Sequence, residues 1–419
     1  MRPYQVLIFI IVVMAVLGGL YLAIQELDMS EPEIVSIDLD TIAEFPVLAD
    51  SDTTLPAPQD TIIPTPKPVI PKVSVDSTTD SRIFLASFYA SLYEADSRTI
   101  RVLHYGDSQI EEDRMTMSIR EQLQKRFGGR GVGLMPLAQT IPTLTVKQEL
   151  HMSGHFVMPQ QGPRRYLVFG PKRDQRADGL YGPMGQMAMM NDSLVKGSEE
   201  VIAVCHPLLQ STLYERWRVF ADSSVHYSFT GDTVRLSGRG AVYGLSQESR
   251  TGVIVDNIPM RGCIGLVFTK MEAEQLQTFY REQNVRLIIL QFGGNAIPFN
   301  EKPSTIQAIV SGLRQQVRYL RACAPEASIL FIGPSDMLTQ TDGEWTTFPM
   351  VPYMDRLLQK MALEENIAYF SLFRWMGGAG SMKRWQEAGL AGSDGVHFYR
   401  SGAKKAGNAI GEWILNGLD

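Results

Sequence analysis

Arg101-Val102-Leu103-His104-Tyr105-Gly106-Asp107-Ser108, carried on through Gln109-Ile110-Glu111-Glu112 to Phe127-Gly128-Gly129, is the stretch that decides the fold. Arg101 to Tyr105 reads as a short buried strand that ends in Gly-Asp-Ser. Glu112 to Phe127 reads as a helix, and Gly128-Gly129 stops it. A strand that turns straight into a helix is the unit of a parallel sheet covered on both faces. Upstream, Ile83, Leu85, Ala86, Phe88, Tyr89 and Leu92 form one apolar helix face. Downstream, Leu287 to Phe292, Ser328 to Ile332 and Ala368 to Leu372 are near-continuous apolar runs, as strands buried on both faces should be. Helices are expected between and after them, over about 305–322, 353–365 and 401–415.

The stretch from about Thr140 to Gln247 breaks this rhythm. Short runs at 165–169, 201–205, 216–220 and 225–229 are separated by Gly, Pro, Asn and Asp. That spacing predicts an all-β unit of β-sandwich type inserted into the α/β body. A loop of that length without structure of its own would be out of place in a compact protein.

The N-terminal segment has a different character. Val6 to Ile24 carries no charge and spans about 28 Å as a helix, close to the hydrocarbon thickness of a bilayer. Arg2 precedes it and no Lys or Arg follows before Lys67, which places the body on the far side of the membrane. Residues 1–25 are therefore expected to be an uncleaved transmembrane anchor rather than a cleaved signal peptide. Residues 26–78 are acidic, then rich in proline (Pro56, Pro58, Pro64, Pro66, Pro68, Pro71), and read as a semi-rigid tether. The α/β body is expected over 79–139 and 248–419, with the insertion at 140–247.

Composition narrows the function classes. The 419 residues are 44% hydrophobic and 20% charged, ordinary globular usage. A net charge of −6 gives no basic footprint, so no nucleic-acid partner is expected. The three cysteines, Cys205, Cys263 and Cys323, form no CxxC pair. His151 and His155 are four apart, but Met152-Ser153-Gly154 between them argues against a helical zinc site. No metal and no cofactor is expected. His104, inside the first strand, is expected to be a satisfied core histidine rather than a base. The basic residues at 125–130 read as a solvated helix end. A Gly-x-Ser-x-Gly elbow is absent, which argues against an α/β-hydrolase.

Three short blocks fall where a parallel-sheet protein places function, beyond the carboxyl ends of strands. They are Gly106-Asp107-Ser108-Gln109, Gly293-Gly294-Asn295 and Asp394-Gly395-Val396-His397. A serine attacks well only beside a base, and a carboxylate fixes the tautomer of a histidine base. Of the six histidines, only His397 has an Asp three residues upstream on a Gly-containing loop before a helix. The Ser108 amide and the Asn295 side chain are candidate donors to a developing oxyanion.

In this order the blocks resemble those of the SGNH (GDSL-type) hydrolases. The resemblance implies Ser108 as nucleophile, and His397 and Asp394 as its base and orienting acid. It implies an oxyanion hole from the Ser108 amide, the Asn295 side chain and the amide of Gly262, which ends Asn257-Ile258-Pro259-Met260-Arg261-Gly262. It also implies a flavodoxin-like three-layer α/β/α body. Two positions depart from the pattern: Gln109 stands where Leu is expected, and Ala296 where Asp is common. The run His104 to Asp113, the run Leu123 to Pro136 with its Arg126-to-Gly133 segment, and Gly252 to Asn257 are similar to bacterial peptidoglycan O-acetylesterases, which also carry a carbohydrate-binding-like β-insertion. The expected activity is removal of O-acetyl groups from an envelope glycan by a body tethered to the inner membrane and held in the periplasm. The alternatives are an O-acetyltransferase using the same acyl-enzyme, and a glycan-binding envelope protein without activity.

Overall fold

The computed structural model describes residues 80–137, 141–152, 170–171, 180–181, 188–190, 200–221, 225–238, 240–271, 273–341 and 343–418. The anchor and tether expected over 1–25 and 26–78 lie outside the described residues. So do His155 and the apolar run at 165–169. Among the described residues no helix is long and apolar enough to cross a membrane.

Five strands form the central sheet: β1 (Thr99–Gly106), β2 (Gly252–Pro259), β3 (Val285–Gln291), β4 (Ser328–Ile332) and β5 (Ala368–Phe370). Their spatial order is β2-β1-β3-β4-β5, and every pairing is parallel. This is the flavodoxin-like order, in which the strand sequence reverses between β1 and β3. Alternate side chains feed two cores. Val102, Val255, Leu287 and Leu330 pack with helices Ala86–Leu92, Thr116–Phe127 and Arg400–Leu415. Leu103, Ile288 and Phe331 pack with helices Ala273–Glu282, Pro303–Cys323 and Val351–Glu364. The result is an α/β/α arrangement.

β2 was not legible as a strand because Asp256 and Asn257 interrupt its apolar run. Both are buried with partners. Arg101 on β1, itself buried, donates to both Asp256 oxygens at 2.8 Å and also to Glu248. Glu248 in turn pairs with Arg216 at 2.7 Å. His104 is fully buried, with Nδ1 2.9 Å from the Thr116 hydroxyl and Nε2 3.1 Å from Gln291 Oε1. Burial lowers its pKa to about 4, so the ring is neutral, and each nitrogen has a polar partner.

The helix expected from Glu112 begins at Thr116. Glu112 and Asp113 both have φ of 60°, a left-handed conformation that breaks a helix. Tertiary bonds hold them there. Glu112 O accepts from the Leu144 amide at 3.0 Å, and Asp113 accepts from Arg120 at 2.6 Å and from the Thr145 hydroxyl at 2.8 Å. The strand expected to reach Leu372 ends at Phe370, because Ser371 caps a short helix, Leu372–Met376, by accepting from the Arg374 amide.

Between the helix Thr116–Phe127 and β2 the chain is antiparallel. Strands Val146–Met152, Glu200–Pro207, Thr233–Gly238 and Val225–Thr230 form one sheet in that order. Gly133–Met135, Gly240–Glu248 and Ala188–Met190 form another, with Arg216–Ala221 also paired to Gly240–Glu248. Val201, Ala203, Val234 and Leu236 of the first sheet share a core with Leu134, Val242 and Leu245 of the second. That core is continuous with the helical layer containing Phe279, whose ring meets Phe220 edge-on at 5.7 Å. His151 lies in the strand Val146–Met152, not on a helix. Cys205, Cys263 and Cys323 are free and buried.

Candidate active site

β1 ends at Gly106, where a Cβ would stand 3.0 Å from the Ile110 side chain, a tight fit that favours glycine. The next residue, Asp107, caps a single helical turn that starts at Ser108. Its carboxylate accepts from the Gln109 amide at 2.9 Å. Burial pushes the Asp107 carboxyl up to about 6, although the Gln109 amide and the charge of His397 oppose the rise.

Ser108 Oγ lies 2.8 Å from His397 Nε2, and His397 Nδ1 lies 2.7 Å from Asp394 Oδ2. The second Asp394 oxygen accepts from the Val396 and His397 amides, both at 2.9 Å. Burial would raise the Asp394 pKa, but these bonds outweigh it and hold the carboxyl below its ordinary value. An ionised carboxylate only accepts, so the proton sits on Nδ1 and Nε2 accepts from the serine hydroxyl. Gly395 has φ of 70°, and its carbonyl accepts from the Leu338 amide at 2.9 Å, which fixes the loop carrying both residues.

The other candidates arrive from neighbouring strands. Gly262 follows β2 in a turn closed by the Cys263 amide donating to Met260 O at 3.0 Å, and its φ of 72° suits glycine. Asn295 follows β3 after Gly293, whose φ is 108°. Asn295 Nδ2 donates to Cys263 O at 3.2 Å, which sets the amide beside the Gly262 turn. The cleft at the strand reversal is lined by Ser108, Asn295 and Ser335, with Phe292, Pro298, Pro334, Met337 and Val396 as its apolar wall. Residues from β1 and β3 thus meet at the switch point, where open parallel sheets bind ligands.

Two side chains have positioning roles that were not read from the sequence. Gln109 is buried, and its Nε2 donates to Val396 O at 2.6 Å. Arg114 donates to Gln109 O at 3.1 Å, to Phe398 O at 3.3 Å and to Ser108 O. Both tie the Ser108 turn to the His397 loop. The available signal was the departure from Leu at position 109, a polar side chain where the pattern calls for an apolar one.

Exposed aromatic residues lie close in sequence to residues that line the cleft. Phe299 follows the lining residue Pro298 and is 85% exposed, and Tyr399, two residues after His397, is 52% exposed. Trp345 is 43% exposed in the hairpin Leu338–Thr341/Glu344–Thr347, which follows the lining residue Met337. It pairs with Gln340 and so shares a hairpin face with Leu338, the residue bonded to the Gly395 loop. Among the described residues no group of His, Cys, Asp and Glu is arranged to hold a metal ion.

No family model matches the chain, and no curated protein matches it. Among solved structures it is similar to a peptidoglycan O-acetylesterase, at 19% identity and a TM-score of 0.62, over 82% of this chain and 97% of that one. It overlaps an acetylxylan esterase from Geobacillus stearothermophilus (a catalytic mutant) at 18% identity and a TM-score of 0.26, over 40% of this chain and 73% of that one. It also overlaps the periplasmic domain of a lipopolysaccharide acetyltransferase from Salmonella ser. Paratyphi A at 12% identity and a TM-score of 0.27, over 39% and 72%. The first likeness shows a shared fold, and the other two carry no argument at those scores.

Proposed function

We propose that this chain is a serine esterase of the SGNH type that removes O-acetyl groups from an envelope glycan, with peptidoglycan the first candidate. The observation that carries the proposal is the hydrogen-bonded chain Ser108–His397–Asp394 opening on a cleft that Asn295 also lines. His397 Nε2 takes the Ser108 proton as Oγ attacks the ester carbonyl. The tetrahedral oxygen is held by the Ser108 and Gly262 amides and by Asn295. His397 returns the proton to the departing sugar hydroxyl, leaving an acetyl-enzyme. Water, deprotonated by the same imidazole, then releases acetate and restores Ser108. Asp394 keeps the imidazole in the required tautomer and stabilises its charged form.

A glycan substrate is supported by this chain's own Phe299, Trp345 and Tyr399. The apolar C–H face of a sugar ring stacks on exposed aromatic rings such as these. Peptidoglycan is supported by the fold shared with the esterase of that substrate. We also take residues 140–247 as an inserted glycan-facing unit, and residues 1–25 and 26–78 as the anchor and tether that hold the body at the envelope, in the periplasm.

The test is acetate release from O-acetylated peptidoglycan by the full chain and by Ser108→Ala. Release by the unmodified chain alone supports the proposal. Hydrolysis of a small activated acetate ester without release from peptidoglycan overturns the substrate and favours another glycan or acetyl transfer. No Ser108-dependent hydrolysis of either overturns the esterase reading.

A further inference from the structure

The Ser108 turn and the Gly262 turn are joined by an ion pair that the reaction above does not use. Arg261, which immediately precedes Gly262, donates from Nε to Glu111 Oε1 at 2.7 Å and from Nη2 to Oε2 at 2.6 Å. Glu111 lies three residues after Ser108 and is buried, whereas the Arg261 side chain is 62% exposed. A two-pronged guanidinium–carboxylate pair fixes angle as well as distance. The Glu111 side is itself braced, because the left-handed Glu112 and Asp113 behind it are held by Leu144, Arg120 and Thr145.

We infer that Glu111 and Arg261 are positioning residues that hold the Gly262 amide in register with Ser108, so that both amides point at one oxyanion. The inference rests on the serine-esterase reading. Gly262 needs such a brace because its turn is exposed and its φ of 72° is one that only glycine adopts freely. The turn is also tied at its start by the Met260 amide donating to Gly106 O at 2.7 Å and at its end by the Asn295 bond to Cys263 O, and the pair adds a side-chain link next to Gly262 itself.

Arg261→Lys keeps the charge opposite Glu111 and removes the fork. In the full chain, with a small activated acetate ester, it should lower kcat roughly ten- to a hundredfold, as a misplacement of about 1 Å does, and leave KM and Tm near their original values. Binding of a boronic acid, whose adduct with Ser108 places a tetrahedral oxygen in the same hole, should weaken by the same factor. Glu111→Gln should also lower kcat, and the double variant should be no worse than the poorer single one, because the two act as a unit. Unchanged kcat and boronate affinity in Arg261→Lys, or losses that multiply in the double variant, would overturn the inference while the parent activity stands. An unmodified chain without Ser108-dependent hydrolysis would overturn the esterase reading and this inference with it.

Discussion

Asp107 shows how a single residue serves two roles at once. Its carboxylate caps the Ser108 turn, yet burial makes its ionisation costly and pushes its pKa up to about 6. A group whose folded pKa is raised contributes stability below its ordinary value of 3.8, and that contribution is lost as pH rises through about 6. Asp107→Asn keeps an acceptor for the cap and removes the titration. Its Tm relative to the original chain should therefore rise between pH 4 and pH 7, and melting curves at both ends of that window check it. A difference that stays flat or falls would show that Asp107 is not strained by its charge. At this scale much of the candidate site was legible. Ser108, Asn295, Asp394 and His397 stood out because their chemistry is carried by side chains at loops after strands. The roles of Gln109 and Arg114 did not, because each bonds a main-chain carbonyl of the distant His397 loop, Val396 O and Phe398 O, and sequence spacing says nothing about those.

Elements were legible where burial is continuous. Ser328 to Ile332 is apolar and buried throughout, and the strand spans the same residues as its run. β2 was hidden because its middle is acidic, and the reason is Arg101, buried across the sheet from it. The helix after Ser108 was expected too early, because acidic residues at its start suit an N-terminus while tertiary bonds force two of them left-handed. The β1–β2 pairing carries its own prediction. Arg101→Met leaves Asp256 and Glu248 short of a buried counter-charge and should cost about 3–5 kcal/mol. Adding Asp256→Asn, which keeps an acceptor for the Leu134 amide, should recover part of that loss. Urea unfolding of the two variants measures both effects. A single variant as stable as the original would mean that the charges are satisfied without Arg101.

Across the molecule, the strand reversal gathers residues from the beginning, middle and end of the body at one cleft, and exposed aromatic residues lie close in sequence to several that line it. Trp345→Ala lies outside the hydrogen-bonded chain at Ser108. It should raise KM for acetylated glycan several-fold and leave kinetics on a small activated ester unchanged. Equal effects on both substrates would make Trp345 part of the hairpin's stability and not of glycan recognition. The parallel, doubly covered body and its antiparallel interruption followed from the alternation of apolar runs, which is a local property; the order of the strands, set by long-range pairing, did not. The hairpin Leu338–Thr341/Glu344–Thr347 escaped because most of its residues are exposed or half-exposed, leaving no apolar period to read. The sheet order also sets a timetable for biosynthesis. β1 is flanked by β2 and β3, and both are encoded beyond the antiparallel region. At roughly 5–20 residues per second, β1 emerges on the order of ten seconds before either neighbour exists. For nearly all of that wait Arg101 lacks Glu248, and for all of it Asp256. A nascent chain interrupted before Gly252 is thus born carrying Ser108 without Gly262, Asn295, Asp394 or His397.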